Sequence, residues 1–230
     1  MSIAENIAQI RANIAAAAKE AGRDPSEILL VGASKMNDAA ACREAIAAGI
    51  DALGENRVQE MTAKLADHAY DGAPLHFIGH LQRNKVKQVV GKVDLIESVG
   101  SLALLEAVEK AAAGLDLVQN VLLEVNIGEE EAKSGFLPQD LFSGAEAALK
   151  CPHIKVLGLM AIPPADADRE ENCRYFEKVW TLFVDIGGNL YHNGFQQLSM
   201  GMSADYEDAI RAGATMVRVG SAIFGSRRYP

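Results

Sequence analysis

Lys35 ends the apolar run Ile28-Leu29-Leu30-Val31-Gly32-Ala33-Ser34, whose length and composition read as a fully buried strand. An ammonium at the tip of such a strand is expensive to desolvate without partners. Desolvation favours the neutral amine, and a neutral amine attacks carbonyl carbon to give a Schiff base. Near the other end of the chain, Ser199-Met200-Gly201-Met202-Ser203 and Arg218-Val219-Gly220-Ser221-Ala222-Ile223-Phe224-Gly225 are two glycine-and-serine turns after late strands. Backbone N–H groups in such turns can hold a phosphate. An aldehyde that also carries a phosphate would need both ends of the chain.

Each of these residues also has a purely structural reading. Ser203 is a natural N-cap for a helix running through Ala209 and Ile210, and a cap serine already stands where an anion is favoured. Gly220 could be a tight-turn glycine, although Ser221 beside it and Arg218 two positions earlier point to phosphate contact. Arg218 lies within Met216-Val217-Arg218-Val219, so valines facing the helices would turn the arginine into the interior. There it is either paired with a carboxylate such as Glu124 or Glu97, or aimed at the ring nitrogen of a bound heterocycle, which it would keep unprotonated. Asn56, where Gly54-Glu55-Asn56-Arg57-Val58 closes one strand and opens a helix, is a cap or a ligand contact. His76 and His80 are four apart and are expected on one face of a strand; with no third ligand in sight, packing or mouth-lining roles are favoured over metal. Met160 is expected in the core or at the mouth. Nucleophile-elbow, Walker and dinucleotide motifs are absent from suitable contexts.

The elements that must position these residues alternate. Strand candidates fall at 28–34, 51–54, 75–79, 93–97, 120–127, 155–162, 196–200 and 215–219. Between them, Asn37 can cap a helix ending at Gly49, Ser101 one ending at Gly114, Asp166 one ending at Gly187-Gly188, and Ser203 one ending at Gly213. Ser2-Ile3-Ala4-Glu5 is a capping box opening an amphipathic N-terminal helix with Ile3, Ile7, Ile10 and Ile14 on one stripe. The expected fold is α/β, a single (β/α)8 TIM barrel over residues 1–230 preceded by that helix, with a doubly wound open sheet as the alternative. Runs such as Val121-Leu122-Leu123-Glu124-Val125 are nearly continuous in apolar residues, as parallel strands covered by helices are. The segments 128–135 and 163–168 follow the fifth and sixth strands, on the face where barrel sites are built.

Composition narrows the function classes. The 230 residues carry a net charge of −9, which argues against general binding to nucleic acid or anionic membrane. The short basic stretch Arg83-Asn84-Lys85-Val86-Lys87 reads as a solvated helix face. Cys42, Cys151 and Cys173 are far apart and show no metal-ligand spacing, which suits a reducing compartment. Neither a signal-peptide layout nor an apolar run of roughly 20 residues is present, so a soluble, cytoplasmic protein is expected; a monomer is expected separately.

Taken in order, Ser34-Lys35, Gly54-Glu55-Asn56 with Val58-Gln59-Glu60, His76-Phe77-Ile78-Gly79-His80-Leu81-Gln82 with Asn84-Lys85, Gly158-Leu159-Met160, Leu198 through Ser203, and Arg218-Val219-Gly220 resemble the YggS/PROSC family of pyridoxal-phosphate-binding homeostasis proteins over essentially the whole chain. The resemblance implies a barrel similar to the N-terminal domain of bacterial alanine racemases, with pyridoxal 5′-phosphate as cofactor. It implies a Schiff base on Lys35, phosphate contacts from Ser203, Gly220 and Ser221, Arg218 facing the pyridine nitrogen, and Asn56 as a further contact. It also implies a cofactor-holding role in vitamin B6 homeostasis, without an established reaction and with pyridoxal-dependent apoenzymes as acceptors. The chain length points the same way, because alanine racemases use a second domain that contributes an opposing tyrosine, and no room for one follows the eighth strand. Two alternatives stand beside this reading. One is a pyridoxal-phosphate-dependent enzyme, such as a low-activity amino-acid racemase using Tyr206 or His80; the other is a lysine aldolase acting on a sugar phosphate. The terminal Arg227-Arg228-Tyr229-Pro230 is either a phosphate contact or a frayed end.

Overall fold

A computed structural model, describing residues 1–192 and 194–225, resolves the apolar runs into eight strands. They are β1 (Leu29–Ala33), β2 (Ala52–Glu55), β3 (Leu75–Phe77), β4 (Leu95–Val99), β5 (Gln119–Val125), β6 (Ile154–Ala161), β7 (Gln197–Ser199) and β8 (Met216–Val219). All pair in parallel in chain order, and β8 pairs with β1 to close the barrel, so the open-sheet alternative falls. The helices are α1 (Ile3–Glu20), α2 (Ala39–Ala47), α3 (Val58–Ala66), α4 (Leu102–Ala113), α5 (Pro138–Ala148), α6 (Arg169–Ile186), α7 (Tyr206–Arg211) and α8 (Ser221–Phe224).

Strand residues alternate between two apolar layers. Leu30, Leu53, Val217 and Val219 pack under the helices, whereas Val31, Ala52, Leu95, Leu122, Met160 and Met216 form a separate cluster in the barrel interior. Burying an aliphatic side chain of this size is worth about 1.5–3 kcal/mol, so a one-residue slip of register would forfeit many such terms. The alternation turns Arg218, between Val217 and Val219, into the interior, as expected. At the N-terminus the capping box forms, with Ser2 accepting from Glu5 N–H and Glu5 accepting from Ser2 N–H. Ile7, Ile10 and Ile14 are buried, and α1 packs beside α7 and α8.

Several boundaries differ from the sequence reading, each for a local reason. Asn37 does not cap α2: its side-chain amide turns back to donate to Lys35 O at 3.0 Å, and Asp38 accepts from Ala41 N–H instead. Asp168, not Asp166, caps α6 by accepting from Glu171 N–H. Gly187 and Gly188 do not stop that helix, which continues as a π-helical turn over Gly187–Tyr191. The basic stretch forms a 3-10 helix over Arg83–Gln88. Strand β3 ends at Phe77, so His76 and His80 do not share a strand face.

Candidate functional site

β1 ends at Ala33, and Lys35 stands two residues beyond it, just past the strand's tip. It is half-buried and lines a cavity of about 440 Å³ together with Ser203, Arg218, Gly220, Ser221 and Phe224. Among the described residues its amine makes no hydrogen bond, so the nitrogen is free to meet a ligand. The β1–β8 register places Val31 beside Arg218 and Gly32 beside Val219. Gly220 follows against Ala33, where a Cβ would stand 3.3 Å from Ala33 O. Barrel closure thus sets the two ends of the sequence on one rim.

The same cavity is lined by a turn gathered around Ser203. Ser203 Oγ accepts from Gly220 N–H at 3.2 Å and from Ala222 N–H at 3.4 Å. Ser203 is therefore not the N-cap of α7, which begins three residues later behind Asp205. The turn before it is fixed by Asp205, which accepts from Met202 N–H, and by Gly201 at φ +89°, where a Cβ would lie 2.6 Å from that of Ala209. Two main-chain N–H groups thus converge on one oxygen, the kind of arrangement in which a phosphate oxygen could take the place of the hydroxyl, with Ser221 beside them.

The floor of the cavity is a buried charge network. Arg218, 3% exposed, donates through one terminal nitrogen to Ser199 Oγ at 2.5 Å and through the other to Ala161 O at 3.0 Å, and lies 3.8 Å from Glu97. Ser199 Oγ donates in turn to Glu97 Oε2 at 2.6 Å, while His76 Nδ1 contacts Glu97 Oε1 at 2.8 Å. Burial would raise the Glu97 carboxyl, but His76, Arg218 and Ser199 together hold it below the usual carboxylate range. A guanidinium has five N–H donors, so the ion-pair role and a ligand-facing role are compatible. The histidine contact was not anticipated, because nothing in the spacing of His76 and Glu97 announces it.

Asn56 is not gathered with the others. It lines a second cavity of about 540 Å³ with His80, Glu124, Lys133 and Ser134, and its side-chain oxygen is buried without a partner. Gly79 lets the chain pass there, since a Cβ at that position would fall 2.3 Å from Asn56 O. Burial pushes the Glu124 carboxyl up, against a hydrogen bond from Ser134. Tyr206 faces neither cavity; its hydroxyl accepts from Asn13 at 2.9 Å, in a cleft beside α1. Met160 is fully buried in the interior cluster. The residues Arg227 to Pro230 lie outside the described residues. A partnerless amine, an oxygen cradle and a permanent buried cation around one cavity fit a phosphate-bearing aldehyde on an aromatic ring.

Comparison with known proteins agrees with this chemistry. The profile of the family described as alanine racemase, N-terminal domain, matches residues 6–228. The pyridoxal phosphate homeostasis protein of Pseudomonas aeruginosa is 44% identical over 229 residues, covering 99% of this chain and 97% of the relative. That of Aquifex aeolicus is 41% identical and covered in full by the match, as is this chain. PipY of Synechococcus elongatus, in a structure with pyridoxal phosphate bound, superposes with a TM-score of 0.85 at 33% identity, over 97% of this chain and all of PipY. An alanine racemase of Clostridium difficile shares the fold, with a TM-score of 0.72 at 17% identity, over 99% of this chain and 57% of the racemase.

Proposed function

This chain belongs to the family of the alanine racemase N-terminal domain and, within it, to the pyridoxal phosphate homeostasis proteins, and from that premise we propose that it holds pyridoxal 5′-phosphate as a Schiff base on Lys35. The protein takes part in vitamin B6 homeostasis by holding the cofactor without turning over a substrate. One observation carries the reading: the unpaired Lys35 amine and the Ser203–Gly220 cradle open onto the same cavity. When bound, the cofactor supplies an aldehyde with which an amine condenses reversibly, losing water. The chain's own residues divide the remaining work. Ser203, Gly220 and Ser221 would bind the phosphate and Arg218 would face the ring nitrogen with a fixed positive charge that discourages its protonation, whereas Asn56, on a separate cavity, is left without a direct contact in this reading. Placement of Tyr206 outside the Lys35 cavity supports holding over racemisation, since it removes one of the two groups considered as a second acid or base from that site.

The acceptors in this reading are pyridoxal-dependent apoenzymes, and the working form is a cytoplasmic monomer acting as one domain over residues 1–230. Three unpaired cysteines support the compartment, and among the described residues no helix is long and apolar enough to cross a membrane. Transfer is tested by mixing the loaded protein with a pyridoxal-dependent apoenzyme and following recovery of that enzyme's activity. Wild type restores activity on a slow time course, whereas Lys35→Ala treated in the same way restores none. Equal delivery by both proteins would contradict the role given to Lys35.

A further inference from the structure

Helix α3 presents Glu60 and Lys64, four residues apart, to the loop that carries Lys35. Lys64 is buried, and its ammonium donates to Ser34 O at 2.8 Å and to Glu55 Oε1 at 2.5 Å, with Glu60 Oε1 at 3.2 Å. Those contacts account for all three of its protons. Burial would pull Lys64 toward its neutral form, but the bond to Glu55 and the charges of Glu55 and Glu60 hold it above its ordinary value. Glu60 Oε1 in turn accepts from Met36 N–H. The carbonyl before Lys35 and the N–H after it are therefore tied to one helix. Asn37 adds its own N–H to Ser34 O and its amide to Lys35 O, each at 3.0 Å. Met36 sits at φ +62°, a left-handed conformation that L residues avoid unless the surroundings impose it. Behind the loop, Glu55 Oε1 also receives Ser34 Oγ at 2.6 Å and Tyr70 OH at 3.1 Å, so the anchor is rigid.

We propose that Glu60 and Lys64 are positioning residues for Lys35: a clamp across α3 that fixes the peptides on both sides of the lysine, aims its amine into the cavity of Ser203 and Gly220, and slows loss of the bound cofactor. The proposal rests on the reading of Lys35 as the Schiff-base lysine. Neither residue touches the cofactor, and both act through the main chain of residues 34–36. Their sequence signature is weak, because a glutamate and a lysine four apart on a helix ordinarily form a solvated surface pair.

The test uses the full chain loaded with pyridoxal phosphate. Release is followed by dialysis against a large excess of an aldehyde trap, orientation by the circular dichroism of the bound chromophore at visible wavelengths, and attachment by borohydride reduction and peptide mapping. Glu60→Ala is expected to unfold as cooperatively as wild type and to carry the label on Lys35. It should nevertheless release cofactor about tenfold faster, the net worth of one hydrogen bond, and lose much of the visible dichroism. Glu60→Gln, whose amide oxygen can still accept from Met36 N–H, should recover most of both signals, a rescue that a general loss of stability would not give. Lys64 is examined as Lys64→Met in a Glu55→Gln background, so that no carboxylate is left buried without its counter-charge, and the same faster release is expected. A labelled wild type with release and dichroism indistinguishable in Glu60→Ala and in the double variant overturns the clamp alone. A wild type that takes no label on Lys35 overturns the clamp and the proposed function together.

Discussion

Arg218 brings a permanent charge into a barrel interior whose neighbouring layer is Val31, Ala52, Leu95, Leu122, Met160 and Met216. Glu97 makes that tolerable, and it does so as the hub of three contacts, with His76, Ser199 and Arg218. Removing the hub leaves the buried Arg218 guanidinium without its nearest carboxylate and the His76 ring nitrogen without its hydrogen-bond partner. Glu97→Ala is therefore expected to lower the stability of the cofactor-free protein by about 3–5 kcal/mol in urea unfolding. A loss below about 1 kcal/mol, the scale of an exposed pair, would mean that Arg218 is not held as described. Charged residues that interrupt an apolar run were legible at this scale: Lys35 and Arg218 both stand out because continuous burial makes a charge conspicuous. Lys64 and Glu60 were not, since a lysine in an amphipathic helix looks like ordinary surface until another element covers it.

At the scale of elements, the strands were read well because most are short segments rich in apolar residues bounded by turn residues, even where a polar residue such as Glu97, Glu124 or Arg218 interrupts them. Their parallel pairing followed from the helical patterns between them. Helix starts were read less well. Asn37 and Asp38, or Asp166 and Asp168, are neighbouring polar candidates, and a local alternative such as the bond from Asn37 to Lys35 O decides between the first two. Ser203 is the instructive case: its hydroxyl is taken by N–H groups from the β8 turn, which sequence proximity cannot show. Loop geometry at the mouth depends likewise on close passage of two segments of the chain, at Gly79 and Asn56. Gly79→Ala would drive a Cβ into the Asn56 main chain, costing about 1–3 kcal/mol and displacing the segment that carries Asn56. Paired measurement of the urea midpoint and of cofactor retention should show both falling; an unchanged urea midpoint would show that the β2 and β3 exits are looser than described.

For the whole molecule, the ionisable groups set the response to acid. The Arg169 guanidinium, bound to Asp208 through two hydrogen bonds, holds that carboxyl below its ordinary value against its partial burial. Glu97 is held low by the His76 network, and Glu5 by the Ser2 main chain and hydroxyl. A carboxyl whose folded value is depressed adds stability above the unfolded value, near ~4, and loses it as pH falls through the folded value. Glu124 has the opposite sign: burial raises it, so its contribution is present in acid and fades as pH rises through its folded value. With four depressed carboxyls, Asp24 at its bond from Ser26 N–H being the fourth, against one raised, the urea midpoint of the cofactor-free protein should hold between about pH 7 and pH 5 and fall steeply below about pH 4. A midpoint that rises in acid would show Glu124 outweighing the others.

Borohydride trapping of the loaded chain, followed by peptide mapping, tests the central claim most directly. Purified protein incubated with pyridoxal phosphate is expected to absorb in the visible, to lose that band on reduction, and to carry one phosphopyridoxyl group on the peptide containing Lys35, while Lys35→Ala lacks the wild-type band. A label found on another lysine of the wild-type protein, or a visible band that survives reduction, would contradict the assignment of Lys35 as the residue that captures the aldehyde.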